Sequence, residues 1–582
     1  MPNLGSLQIG TEESTEFGFY GFQGGLNIKS APQQVADNEL TIATNVYLNA
    51  DGGVRLRNGM AAYGTATTGN GPTALARFFQ GINNGNVVTP ETVQLLVQHE
   101  GILYNATISS NTSLGSIYSG SASSAQAMSW ARFEQAGGQY KSGLTDCIVI
   151  CTGSGGPYVY DGTNLYTPSG WSAAASARWC AVVNGIIWFG GIPAYPNQIF
   201  GSGDGILAPY ETLPAYRNFV FSAPVTGLLG QGTGSTATLV IGRNTGLSVL
   251  YGTGVSTFFL QDIPYADGVT AGLTMVSSNG YGYWLGRNAV YMFDGQSVPK
   301  QISQKVEPWI LNDPLYQQYP MSANRQLSWS CIYNNRLHIG YCSLATEPNV
   351  ILCYDLTLQA WTVLTPTPGI SSMILLDAPT DPSPYQAVAS SSTSGQVYYW
   401  DYVPPAAIPA PAYDNTTVSS GIYRGTNPVL AQVQSKFFKL GVPGTNKALQ
   451  RWYPEYQIAG LFSVLSTVAT DYGAVVYTAE SAPASTQGGF LYWAPSLTAT
   501  YDGIWGGTDP TTGLTYTGSS WAGIGFSNYG SPNSRIDVPG TQAESFAFGI
   551  VMAAPYGPNG DGAVAPWIWA GGTGVYTQRG RT

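Results

Sequence analysis

Apolar positions along the chain fall in short runs of alternating, β-branched and aromatic residues bounded by Gly, Asn, Asp or Pro. Almost no stretch repeats at helical spacing over three turns, so the pattern predicts an all-β protein with helix as a minor component. Four runs share one form: PYVYDG (157–162), VYMFDG (290–295), ILCYDL (351–356) and VYYWDY (397–402). The alternation sends one set of side chains into a core, and an Asp at the strand end can bond the backbone ahead of it and start the turn. Asp161, Asp294, Asp355 and Asp401 are therefore read as turn residues.

Looser versions occur at GILYNA (101–106), NQIFGSG (197–203) and GLSVLYG (246–252), which places aromatic landmarks near 104, 160, 200, 251, 293, 354 and 400. Their spacing of about 40 to 60 residues is close to the length of a four-stranded propeller blade. A β-propeller over 65–402 follows. The gaps are irregular, and a pair of β-sandwiches would also give aromatic strands separated by turns; the blade number is not read. Two hairpins stand out, RWCAVVNGIIWFGG (178–191) and SCIYNNRLHIGYC (330–342), in which Asn184-Gly185 and Asn334-Asn335 supply the positive φ that a two-residue turn needs. VPPAAIPAPA (403–412) cannot pair in a ladder and marks a Pro/Ala-rich linker over 403–430. Beyond it, strand-like runs at 431–440, 461–470, 545–554 and 565–572 predict a C-terminal β-sandwich-like domain over 431–582. Residues 1–64 are expected to pack on the propeller or to close it.

Composition sharpens this picture. Only 9% of the residues are charged, against 44% hydrophobic, yet 15 Trp, 38 Tyr and 20 Phe provide the buried area that a disordered chain lacks. The net charge of −10 argues against a general nucleic-acid surface, which needs clustered Lys and Arg. The N-terminal stretch has no basic n-region followed by an apolar h-region, and no apolar run is long enough to span a bilayer, so synthesis in a cytoplasm and no membrane span are expected. The sequons at Asn105, Asn111 and Asn415 are then without consequence.

Candidate chemistry is sparse. His99 and His338 are the only histidines, both inside alternating strands, and neither sits in a catalytic pattern. Cys147 and Cys151 lack a second pair, and Cys331, Cys342 and Cys353 recur every eleven residues, a spacing that suits strand–turn–strand returns to one sheet better than a zinc site. With Cys180 these are read as buried, reduced thiols. GQGTGS (230–235) has the wrong glycine interval for a nucleotide loop. No catalytic residue, cofactor or metal is expected, and the protein is read as not an enzyme.

Residues 21–60, GFQGGLNIKSAPQQVADNELTIATNVYLNADGGVRLRNGM, carry Phe22, Gly24, Gly25, Leu26, Asn27, Pro32, Asp37, Asn45, Val46, Arg57 and Gly59. In that order they resemble the N-terminal signature of the tail nozzle, or packaged-DNA stabilisation, proteins of short-tailed bacteriophages; Asn58, between Arg57 and Gly59, is a small departure. SKFFKLGVPGTNKALQRWYPEY (435–456) is similar to the start of that family's C-terminal domain through Lys436, Leu440, Gly441, Pro443 and Lys447, and the final TQRGRT looks like its basic ending. The resemblance implies a virion protein: a ring, commonly a homohexamer, below the portal and the tail adaptor ring, carrying tail fibres or tailspikes and conducting genomic DNA without sequence-specific binding. Arg55 and Arg57 are candidate adaptor contacts. Two alternatives stay open: a DNA-stabilising plug, and a tail-attached propeller that binds or degrades glycan, which would need a pair of facing carboxylates.

Overall fold

The computed structural model describes residues 14–402 except 72, 108, 119–127, 206–207, 255, 266 and 377–385, and then 413–414, 417–419, 422–424, 427–441, 445–458, 464–470, 475–481, 504–508, 515–520, 536–552 and 567–578. The chain is all-β and divides into two compact units, one of residues 26–31 and 58–429, the other of 1–25, 32–57 and 430–582.

The first unit is a β-propeller with seven blades among the described residues. Blade 1 is built from Thr73–Asn83, Asn86–His99, Ile102–Ala106 and Asn111–Ser116, innermost strand first, and blades 2 to 6 repeat the antiparallel quartet from Ser129–Gln135, Trp179–Val183, Val225–Gln231, Val276–Ser278 and Trp329–Tyr333 as inner strands. Blade 7 uses Ile370–Leu375, Ala387–Ser391 and Gly395–Tyr399 and takes its outer strand from the far end of the sequence: Ala61–Thr67 pairs antiparallel with Gly395–Tyr399. The ring is thus closed by the strand that precedes blade 1 in the chain, which ties the two ends of the propeller together and completes the fourth strand of blade 7. Serine and threonine complete the closure, with Thr73 Oγ1 donating to the Ser391 carbonyl at 2.9 Å and Ser390 Oγ to the Thr73 carbonyl at 2.9 Å.

Each aromatic landmark falls in or directly after the third strand of one blade: Tyr104, Tyr160, Phe200, Tyr251, Phe293, Tyr354 and Trp400. Asp161 accepts the N–H groups of Thr163 and Asn164 at 2.9 and 2.6 Å, Asp294 those of Gln296 and Ser297, and Asp355 those of Thr357 and Leu358. Asp401 takes the Asn58 N–H at 2.7 Å. The hairpin turns are as expected, with φ of 53° and 73° at Asn184 and Gly185 and of 49° and 56° at Asn334 and Asn335.

A glutamine at the end of an inner strand locks blade to blade. Gln80 Nε2 reaches the Asp161 carbonyl at 3.2 Å, and Gln231 Nε2 reaches the carbonyls of Gly280 and Phe293 at 2.7 and 3.1 Å. Replacing Gln231 by Ala leaves those carbonyls without this donor, and a loss of about 1–2 kcal/mol is expected. It is to be read as a lower urea midpoint of the propeller; an unchanged midpoint would show that the staple contributes nothing.

The second unit is a β-sandwich. One sheet runs Val46–Leu48, Val54–Leu56, Trp567–Gln578, Lys447–Ile458, Ile536–Ala543, with Ser14–Tyr20 also on Trp567–Gln578. The other contains Glu39–Thr44, Ala431–Ser435, Phe546–Met552, Val464–Thr470 and Val475–Ser481. Aromatic rings fill the space between them: Phe19 stacks on Trp452 at 5.3 Å, Trp452 meets Phe548 at 4.5 Å and Phe22 stacks on Trp569 at 4.6 Å.

The expected domain limits shift accordingly. The boundary at 64 falls inside the closing strand, and of the 1–64 segment only 26–31 and 58–64 belong to the propeller unit; 14–25 and 32–57 build the sandwich. Strand pairing is non-local, so an N-terminal strand carries no mark of the sheet it will join. The expected linker 403–430 also differs: 403–412 lie outside the described residues, but Tyr413–Asp414 pairs with Asn427–Pro428 and Thr417–Ser419 with Ile422–Arg424, one hairpin belonging to the propeller unit.

Candidate functional site

Two places hold the residues that could carry function: the signature segments within the sandwich, and the axis of the propeller.

In the sandwich, Glu39–Thr44 runs antiparallel to Ala431–Ser435, which brings Ser435, the first residue of the second family-like segment, opposite Leu40 of the first. Lys436 forms an ion pair with Asp37, and Phe437 N–H donates to the Pro32 carbonyl at 3.3 Å. Asn45, at φ 56°, donates from Nδ2 to the Leu430 carbonyl at 2.8 Å and accepts from Arg57 Nε at 3.2 Å. Phe22 and Val46 are buried in the sandwich core. Gly24 is required by space, since a Cβ there would lie 2.6 Å from the Glu39 side chain, and Gly25 by its φ of 65°. Leu440 is buried and Gly441 sits at φ 62°; Lys447 opens its strand, and Pro443 lies outside the described residues.

In the propeller unit Leu26 is buried and Asn27 turns the chain through Ser30, whose N–H it accepts at 3.1 Å. Gly59 accepts the Tyr402 N–H at 3.0 Å next to the Asn58–Asp401 bond, so the end of the signature clasps the chain where it enters and leaves the propeller. Arg57, proposed from the sequence as an adaptor contact, is fully buried against Asn45 and holds its own segment together instead of presenting a surface. A guanidinium bonded to a local side chain is lost to an external partner, and the alternation of the strand gave no sign of this. Arg55 is half-buried, with its guanidinium 5.6 Å from the Tyr47 ring centroid.

The histidines and cysteines lie in the propeller core. His338 is enclosed between Cys331 and Cys353 on the neighbouring strands, and burial pushes its pKa down to about 3. His99, bonded to Thr67 Oγ1 at 2.8 Å, is also lowered by burial. Burial pushes the thiols of Cys331, Cys342 and Cys353 up to about 12, and those of Cys147 and Cys151 up as well, so they stay protonated and unreactive at neutral pH. Among the described residues no three His, Cys, Asp or Glu side chains converge as a metal site requires, and no helix is long and apolar enough to cross a membrane.

On the axis, the seven inner strands enclose a channel of about 560 Å³. Arg77 and Arg132 are its only charged lining residues among those described. Arg132 is held from behind by Asp146, a carboxylate with no exposed side-chain surface that accepts Nε and Nη2 at 3.2 and 2.6 Å on Oδ1 and the N–H groups of Gly81 and Ile82 at 2.8 and 2.7 Å on Oδ2. The sequence reading missed this group; nothing in the local pattern separates Asp146 from a turn aspartate.

No protein-family model and no curated protein matches the chain. Among solved structures it is similar to the AfRom2 CNH domain (10% identity, TM-score 0.33, covering 59% of this chain and 99% of that one). The extracellular domain of the putative one-component system BT4673 from B. thetaiotaomicron (9%, 0.37, 72% and 56%) and the RRP9 WD40 repeats (9%, 0.30, 59% and 99%) are similar as well. The architecture therefore rests on the chain's own strand order, which defines a closed β-propeller joined to a β-sandwich.

Proposed function

We propose that the chain is a structural virion protein, a subunit of a ring-shaped tail nozzle that extends the portal–adaptor channel, retains the DNA genome, conducts it at ejection and anchors fibres or tailspikes. The observation that supports this reading most is that the start of the second family-like segment meets the first, almost 400 residues away in sequence, with Ser435 opposite Leu40 in the ladder and Lys436 paired with Asp37. Two independent resemblances in one chain that meet in one sandwich are less easily accidental than either alone. On this reading the signature is architectural, its residues buried or engaged in turns, and the protein is not an enzyme.

The genome would run through the lumen of the assembled ring, because the axial channel of a single propeller is far too narrow: the major groove alone of duplex DNA is about 12 Å wide. A chain of net charge −10 gives such a lumen little to hold phosphates with. A low charge content and many aromatic residues also suit broad obligate interfaces and closed cyclic assembly.

Native mass spectrometry of the purified chain, followed by immunogold labelling of virions, tests the reading. A six-fold ring and label at the tail tip are expected; label confined to the capsid interior would favour the plug, and a stable monomer absent from virions would overturn the nozzle assignment.

A further inference from the structure

Three hairpin turns of the propeller share one backbone form. Asn84-Gly85, Asn184-Gly185 and Asn279-Gly280 each place both residues at positive φ: 53° and 78°, 53° and 73°, and 52° and 82°. An Asn followed by Gly carries a built-in reaction, because the glycine amide nitrogen can attack the asparagine side-chain carbonyl carbon with no Cβ beside it to obstruct the approach. With the backbone alike in all three, the turns differ in how firmly the side chain and the attacking nitrogen are held.

At the first turn both are engaged. Asn84 Oδ1 accepts from Ser142 Oγ at 3.0 Å and from the Gly143 N–H at 2.7 Å, and the Gly85 N–H donates to the Leu144 carbonyl at 2.8 Å. At the second turn the side chain is engaged, since Asn184 Nδ2 donates to the carbonyls of Ala237 and Gly252 in blade 4 at 3.4 and 3.1 Å. At the third neither group is. Among the described residues no hydrogen bond engages the Asn279 side chain or the Gly280 N–H. Asn279 and Gly280 are both exposed, and a Cβ built on Gly280 would meet nothing within 4 Å. Attack requires the side chain to swing onto its own backbone into a near-attack geometry. That motion breaks bonds at Asn84 and Asn184 and none at Asn279. Of the other pairs, Asn58-Gly59 is held in the clasp with Gly59 buried, Asn70-Gly71 lies in the irregular connection between Ala61–Thr67 and Thr73–Asn83, and Asn559-Gly560 is outside the described residues.

We propose that Asn279 is a site of spontaneous deamidation in the folded protein, and that Asn84 and Asn184, in turns of the same form, are protected by their bonds. The Gly280 nitrogen forms a bond to Asn279 Cγ, the Cγ–Nδ2 bond breaks, and ammonia leaves with the proton that the Gly280 amide gives up. Water then opens the cyclic succinimide at either carbonyl, to aspartate or to isoaspartate. Both products add a negative charge, and isoaspartate also lengthens the turn backbone beside the Gly280 carbonyl, which takes Gln231 Nε2 at 2.7 Å. The modification is thus placed to loosen the staple between blades 4 and 5. The site is independent of the nozzle reading and stands or falls without it.

The test is incubation of the full chain in mildly alkaline buffer, with peptide mapping by mass spectrometry at intervals. In the folded chain Asn279 should deamidate at least about ten-fold faster than Asn84 and Asn184, since a tied amide must give up its bonds before it can react. In urea, where those bonds are gone, the three rates should converge. Gly280→Ala, whose added methyl group screens the attacking nitrogen, should slow Asn279 by about ten-fold or more and leave the other two pairs unchanged. A rate at Asn279 no higher than at Asn84 and Asn184, a difference that persists undiminished in urea, or a rate indifferent to Gly280→Ala would overturn the proposal.

Discussion

Exchanging Asp146 for alanine is expected to destabilise the propeller by about 3 kcal/mol, because it leaves two backbone N–H groups and one guanidinium without their acceptor in a buried place. The carboxylate has no exposed side-chain surface and takes four bonds, two from Arg132 and one each from Gly81 and Ile82. It joins the inner hairpin of blade 1 to the two inner strands of blade 2. Arg132 is partly open to water and can recover some hydration, which keeps the cost below that of a fully buried pair. Asp146→Asn retains one acceptor oxygen and should lose less, and Asp294→Ala, at an exposed turn, should scarcely move the transition. Urea unfolding followed by tryptophan fluorescence reads all three. Equal midpoints for Asp146→Ala and Asp294→Ala would remove Asp146 from its place as a hub.

The second large effect is acid lability. His338 titrates near 3 in the folded protein, through burial first and the Arg336 charge second, and at about 6.5 when unfolded. Between those values the unfolded chain binds a proton that the folded chain refuses, so stability falls as pH falls, by about 1.4 kcal/mol per unit, until the folded state is itself protonated near 3. Between pH 7 and pH 5 this amounts to about 2 kcal/mol from one residue. Carboxylates also respond in acid, so the measure is the difference between the wild-type chain and His338→Gln, which cannot titrate. The difference in unfolding free energy at pH 7 should shift by about 2 kcal/mol in favour of the variant at pH 5. Parallel pH profiles for the two proteins would mean that His338 is solvated and titrates normally.

The propeller was legible to an unusual degree because its repeat is written in one strand of each blade. The third strand must supply an aromatic to the packing between blades and then reverse, so Tyr160-Asp161, Phe293-Asp294 and Tyr354-Asp355 recur as a visible unit. The seven landmarks correspond one to one with seven blades, although their uneven spacing, caused by insertions such as the 302–328 connection with its short helix Glu307–Ile310, hid the number. The signature residues were legible as a group, but not what each does. Arg57 read as an exposed cation and is fully enclosed. Asp37 could not announce Lys436 as its partner.

By itself the sequence determined what local physics controls: an all-β chain, the Asn-Gly and Asn-Asn hairpins set by positive φ, the aspartate turns, and histidines and cysteines placed on apolar strands. The tertiary structure alone decided which distant segments meet: Ala61–Thr67 closing blade 7, residues 32–57 joining 430–458 in a sandwich, Asp146 gathering two blades, and Arg77 coming beside Arg132 on the axis. The physical reason is the range of the interactions. A turn or an alternating strand is fixed by residues a few positions apart, whereas a ladder partner or a buried ion pair is fixed by the closure of the whole fold, and no short window of sequence contains it.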